Sequence, residues 1–216
     1  DGVTKDYAEA ARWYHMAAAK TNATALFNLG VLYGLGQGVP KNQELAAELM
    51  RQAAGQGDAT MQYMLGRLFY KSNVLPLDHA EAAYWFNEAA QQGHLDAQRL
   101  LGYMYMFGQG VQVDYIKAYS LLKVPAEQGD MFSQMFLGRM YYFGGGVEKN
   151  YAEAARWYRK AAEQGNIWAQ SFLGLMYYSG EGVEKNYAEA ARWFRKAADQ
   201  GDADSQGMLG DMYYNG

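Results

Sequence analysis

The segment Trp168–Ala203, WAQSFLGLMYYSGEGVEKNYAEAARWFRKAADQGDA, decides the fold. Trp168 to Ser179 contains no proline and places apolar residues at helical spacing, which predicts a helix, A. Gly180-Glu181-Gly182-Val183 follows, and two glycines this close end a helix and supply a turn. Asn186 reads as an N-cap, with Glu189 three residues later completing a capping box. A second helix, B, then runs from Tyr187 to about Asp199. Gly201 stands just past its end, where a left-handed residue is favoured.

This unit recurs without slippage. The pairs Leu29-Gly30, Leu65-Gly66, Leu101-Gly102, Leu137-Gly138, Leu173-Gly174 and Leu209-Gly210 are spaced by 36 residues, as are Gly57, Gly93, Gly129, Gly165 and Gly201. A fixed period in this range is the signature of a repeat array. The boundaries read as a half repeat 1–23, repeats 24–59, 60–95, 96–131, 132–167 and 168–203, and a half repeat 204–216, one solenoid throughout. The capping pair recurs as Asp6/Glu9, Asp78/Glu81 and Asn150/Glu153. A glycine inside helix A costs about 1 kcal/mol relative to alanine. Its recurrence therefore predicts close helix-to-helix approach. Trp13, Trp85, Trp157 and Trp193 read as core anchors of helix B, replaced by Leu49 and Leu121 in two repeats.

The matching residues of the last complete repeat are Leu173-Gly174, Tyr177, Gly180, Gly182, Val183, Asn186, Tyr187, Ala190, Trp193, Ala197, Ala198 and Gly201. The pattern resembles the Sel1-like repeat, a relative of the tetratricopeptide repeat, over essentially the whole chain. The resemblance implies an all-α fold, a right-handed α-solenoid superhelix of antiparallel helix pairs. It implies a non-enzymatic adaptor or scaffold for protein complexes, in bacteria secreted or periplasmic more often than cytoplasmic. Some bacterial relatives carry a cysteine pair in each repeat. This chain has no cysteine and falls outside that branch.

Internal comparison of the repeats separates scaffold from variable surface. Gln62, Gln98, Gln134, Gln170 and Gln206 form a constant series. Four positions of helix A vary freely, spaced 3, 4 and 4 apart and so on one helical face: Thr60, Tyr63, Arg67 and Lys71 in one repeat, Trp168, Ser171, Leu175 and Ser179 in another. The stripe is rich in aromatic residues, Met and Arg, the types enriched at interface hot spots. By analogy with tetratricopeptide arrays it lines a concave groove. The expected partner-binding residues are Phe27, Tyr63, Arg67, Arg99, Tyr103, Met135, Arg139, Trp168 and Leu175. Self-packing between helices is the competing reading for Tyr70, Tyr142, Tyr178 and Tyr214 beside the stripe.

Two repeats depart from the pattern. Ser72-Asn73-Val74 replaces the Gly-x-Gly turn, which demands another backbone path, since non-glycine residues resist positive φ. Pro125 replaces a helix-B alanine, and proline inside a helix usually kinks or ends it.

No catalytic, cofactor or metal site can be nominated. His15, His79 and His94 fall in different repeats, without HExxH spacing or partnering cysteines. His15 and His79 read as surface residues of B helices, and His94 as a loop residue. Gly34-Leu35-Gly36-Gln37-Gly38 follows a helix, not a strand, and lacks the Gly-Lys-Ser/Thr ending of a phosphate loop. The net charge of −4 comes without basic clustering, which argues against nucleic acid as partner, and no apolar run reaches the ~20 residues a membrane helix needs. A groove site for a small molecule or substrate remains a less favoured alternative. Structural self-assembly is another. Writing Asn215-Gly216 before Asp1-Gly2-Val3 restores a repeat turn, so a segment of a longer array is expected, with head-to-tail contact between copies at high concentration.

Overall fold

A computed structural model describes residues 2–215. Among these residues twelve α-helices form and no strand. Contacts divide them into two compact units, 1–113 and 114–216.

The first unit holds α1 (Tyr7–Ala18), α2 (Ala23–Leu35), α3 (Gln43–Ala54), α4 (Ala59–Tyr70), α5 (His79–Gln91) and α6 (Leu95–Phe107). The second holds α7 (Tyr115–Glu127), α8 (Met131–Phe143), α9 (Tyr151–Glu163), α10 (Ile167–Ser179), α11 (Tyr187–Ala198) and α12 (Ala203–Asn215). Even-numbered helices are the A helices and odd-numbered ones the B helices. Within each unit an A helix packs on the B helix after it, as in α2 with α3, α4 with α5, α8 with α9 and α10 with α11. Each B helix also meets the A helix that follows.

The A-to-B hairpin is closed by one recurring bond. The N–H of the helix-B N-cap donates to a carbonyl nine residues back, near the end of helix A: Asn42 to Tyr33, Asp78 to Phe69, Asn150 to Tyr141 and Asn186 to Tyr177, all at 2.9 Å. This corrects the capping-box expectation. The N-cap side chains do accept from the third helical N–H, as Asn186 does from Glu189 at 3.0 Å. The glutamates do not reciprocate, because those N-cap N–H groups are already taken by helix A. Glu81 binds Arg51 at 2.5 Å and the Trp85 indole at 3.3 Å, and Glu189 pairs with Arg192.

The helix-A glycines mark the tightest approach. A Cβ on Gly30 would lie 2.7 Å from Met50, on Gly66 2.7 Å from Phe86, on Gly138 2.6 Å from Tyr158 and on Gly174 2.7 Å from Phe194. The partner is always twenty residues ahead, so one register repeats. Contacts under 3 Å leave no room for a side chain, and that offsets the lost helix propensity. Gly210, on α12, has nothing within 4 Å among the described residues.

Trp85, Trp157 and Trp193 are buried as expected, Trp193 within the cluster of Ala155, Ala162, Leu173 and Met176 from α9 and α10. Trp13 is the exception at 55% exposure. It sits on α1, which has no preceding helix pair against it among the described residues, and its indole turns to Glu9 at 2.9 Å.

The constant glutamines tie repeats together. Gln62, Gln98, Gln134, Gln170 and Gln206 each donate to a carbonyl eight residues back, at the end of the preceding B helix, over 3.0–3.3 Å. In three of them the side-chain carbonyl accepts from a second glutamine at the end of helix B of the same repeat: Gln92 to Gln62, Gln164 to Gln134 and Gln200 to Gln170, at 2.7–2.8 Å. Orphan helix-terminal carbonyls thus become rungs between repeats.

The two irregular repeats are resolved differently. Helix α4 ends with Lys71 extended (φ −162°), where α2, α8 and α10 end on left-handed glycines. The Ser72 hydroxyl takes over the turn, donating to the Leu68 carbonyl at 2.8 Å and accepting from Val74 N–H at 3.2 Å. Helix α7 runs through Pro125 and ends two residues later, so the proline sits where the helix is about to stop.

Candidate functional site

In the first unit the stripe of α2 is the least available. Phe27 is 4% exposed and belongs to the core, so it presents nothing to a partner. On α4 and α6 the stripe is a connected polar–aromatic surface. Tyr63 is half-buried and stacked on the His94 ring, centroids 4.4 Å apart. Arg67 is exposed, with its guanidinium 5.7 Å from the Tyr63 ring centre. His94 is not a simple loop residue: its Nδ1 caps α6 by accepting from Ala97 N–H at 3.3 Å. Arg99 is half-buried and paired with Asp96 at 2.7 Å, so its charge is matched within its own helix. Tyr103 packs on Phe107 at 4.6 Å. His15 meets the Tyr33 hydroxyl at 3.1 Å, and His79 lies against the Tyr70 ring.

In the second unit Met135 is half-buried against the α9–α10 cluster. Arg139 is exposed, its guanidinium 5.8 Å from the Phe143 ring. Trp168 is 61% exposed, and Leu175 is exposed two turns along α10. Both line a cleft of about 550 Å³ between α10 and α12. Phe172, Met208, Gly207, Asp204 and Asp211 also line it. Sequence reasoning did not assemble this cleft, although one signal was available. Gly207 occupies the stripe position held elsewhere by Phe27, Tyr63, Arg99, Met135 and Ser171.

The tyrosines beside the stripe join repeats. Tyr70 donates to Gln109 Oε1 at 2.7 Å and Tyr142 to Glu181 Oε2 at 2.6 Å, each reaching the turn of the following repeat. Burial, and then the bond to the Glu181 carboxylate, push the Tyr142 hydroxyl up to about 12. The Tyr141 hydroxyl is likewise raised to about 12, chiefly by its hydrogen bond with Tyr119. Tyr178 is exposed and packs edge-on against Tyr187, and Tyr214 lies open at the surface.

Among the described residues no group of three His, Cys, Asp or Glu side chains is placed to hold a metal ion. No helix there is long and apolar enough to cross a membrane.

The model of the Sel1 repeat matches residues 1–22, 23–58, 59–94, 95–130, 132–166, 169–202 and 203–216. Among solved structures the chain is similar to a protective antigen of uropathogenic Escherichia coli strains displaying an SLR fold. The two are 40% identical with a TM-score of 0.80, over 94% of this chain and 44% of the antigen. A Sel1 repeat protein from Oxalobacter formigenes is 32% identical with a TM-score of 0.76, over 91% of this chain and 81% of that one. The chain therefore spans less than half the length of the E. coli antigen. No functionally curated protein is significantly similar in sequence.

Proposed function

Because the chain belongs to the Sel1 repeat family, we propose that it is a non-enzymatic scaffold that binds a protein or peptide partner along the variable stripe of its A helices. The observation that carries this reading is a contrast within helices α4, α8 and α10. Positions where helix A packs against its neighbours are constant and buried, as Leu65, Gly66, Leu173 and Gly174 are. Positions of the stripe differ from repeat to repeat and stay accessible, as Arg67, Arg139, Trp168 and Leu175 do. Exposed aromatic and arginine side chains on helices suit a hot-spot surface, since the backbone that carries them needs no further ordering.

The test is affinity capture with the intact chain. A variant carrying Tyr63→Ala, Arg67→Glu, Arg139→Glu and Trp168→Ala is expected to lose its partner at least tenfold. A B-helix control, Arg156→Glu with Arg192→Glu, retains it. Equal recovery by the stripe variant and the wild type defeats the reading.

The family membership and the E. coli antigen also support a bacterial protein of the envelope or secreted space, to be checked by cell fractionation. A second reading is self-association. Trp13 on α1 is exposed where Trp85, Trp157 and Trp193 are buried, and nothing lies within 4 Å over Gly210 on α12 where Gly66, Gly138 and Gly174 are covered. Sedimentation at millimolar concentration tests it, with Trp13→Ala expected to abolish any assembly.

A further inference from the structure

We propose that the cleft between α10 and α12 receives a lysine or arginine side chain of an extended partner peptide. This rests on the reading of the A-helix stripe as the docking face and names what one part of it selects. The walls are apolar: Trp168, Phe172 and Leu175 come from α10 and Met208 from α12. Gly207 opens the space, since a Cβ built there meets nothing within 4 Å.

The charge at the cleft has one sign. Asp204 and Asp211 flank Gly207 on the same face of α12, both exposed, about 10 Å apart along the helix axis. Neither pairs with a lysine or arginine among the described residues. Neither α10 nor α12 contains a basic residue. A slot with apolar walls and carboxylates at its rim fits a side chain that is aliphatic along its stem and cationic at its tip. The Trp168 ring adds a face suited to that cation.

A helix packed on α12 in the repeat register would leave the cleft open. Helix α11 covers α10 through Gly174 and Phe194, yet Trp168 and Leu175 remain exposed. The corresponding residue of α12 is Gly210, turned about 60° around the helix from Gly207 and about 100° or more from Asp204 and Asp211.

The experiment pans a displayed library of random dodecapeptides on the intact chain and measures the selected clones by titration. Clones are expected to share a lysine or arginine whose replacement by methionine weakens binding at least tenfold. The variant Asp204→Asn with Asp211→Asn reproduces that loss and is blind to the peptide replacement. Gly207→Met, which fills the cleft on an unstrained helical backbone, also abolishes binding, with the thermal midpoint checking the fold. Clones that respond to Trp168→Ala and Arg139→Glu but change less than twofold with the aspartate variant and Gly207→Met overturn this proposal and leave the docking face intact. No clones, or clones indifferent to every stripe substitution, overturn both.

Discussion

Gly34 and Val74 have exchanged bulk across a repeat junction. Val74 stands where the other turns carry their second glycine, and Gly34 stands where other A helices carry Tyr70, Met106, Tyr142 or Tyr178. A Cβ on Gly34 would lie 2.5 Å from Val74 Cγ1 and 2.7 Å from the Val74 carbonyl oxygen. That carbonyl accepts from Gln43 Nε2 at 3.1 Å. In the regular turns the second glycine abuts the first residues of the preceding B helix, as Gly182 does at Tyr151 and Ala152. The missing turn glycine is thus compensated on the neighbouring helix. Gly34→Tyr is expected to destabilise the chain by about 3 kcal/mol through overpacking. Val74→Gly in the same chain should restore at least half of that. A double-mutant cycle of denaturant midpoints measures the coupling.

Thr21 is the one non-glycine residue with positive φ among the described residues, at 57°. It holds the place of Gly57, Gly93, Gly129, Gly165 and Gly201 after the other B helices. The left-handed region is strained for a β-branched side chain. Thr21→Gly should therefore stabilise the chain by roughly 0.5–1 kcal/mol, the relief of strain less the entropy glycine loses. A rise in the thermal midpoint checks it.

The Tyr158 hydroxyl is buried without a hydrogen-bond partner among the described residues, and burial raises its pKa. The equivalent positions hold Tyr14, Met50, Phe86, Leu122 and Phe194. Tyr158→Phe keeps the ring stacked on Phe172 and removes the stranded hydroxyl. A gain of about 1 kcal/mol in chemical denaturation is expected.

Gln170 donates to the Ala162 carbonyl at 3.0 Å and accepts from Gln200 at 2.8 Å, all while buried. Gln170→Ala should cost about 2 kcal/mol by stranding the carbonyl. Gln206 makes the same backbone bond at 3.1 Å but is exposed, so Gln206→Ala should stay within about 0.5 kcal/mol of the wild type. Equal losses would show that the glutamine rungs carry no special weight.

Alkaline pH should loosen the junction between α8 and the turn after α10. The Tyr142 hydroxyl sits at about 12 in the fold, against about 10 in an unfolded chain. A group raised on folding contributes its full stability below the unfolded value and loses it as pH climbs through the folded one. Stability should therefore fall from about pH 10 to about 12. Tyr142→Phe is expected to flatten that part of the profile, measured by urea midpoints across the range.

Much of this architecture was legible in the residues alone. A 36-residue period, capping residues before each helix and glycines after it specify helix pairs, because each signal is local. The helix-A glycine also told its purpose, since a repeated propensity penalty needs a packing reason. Local signals failed where the partner of a group lies elsewhere. Glu189 looked like half of a capping box, but the Tyr177 carbonyl had already claimed the Asn186 N–H. Trp13 looked like a core anchor, but burial of that position requires the preceding helix pair. Phe27 shares the stripe's spacing and is nonetheless core.

The sequence by itself determined the repeat, its two helices, and which positions are free to vary. Only the tertiary structure decided which of those free positions reach solvent and what they form together. Periodicity assigns a residue to a face of its own helix, whereas exposure depends on what is packed opposite. The α10–α12 cleft is the clearest case. Gly207 is an ordinary glycine in the chain, and becomes an opening only because Trp168 and Leu175 stand across from it on another helix.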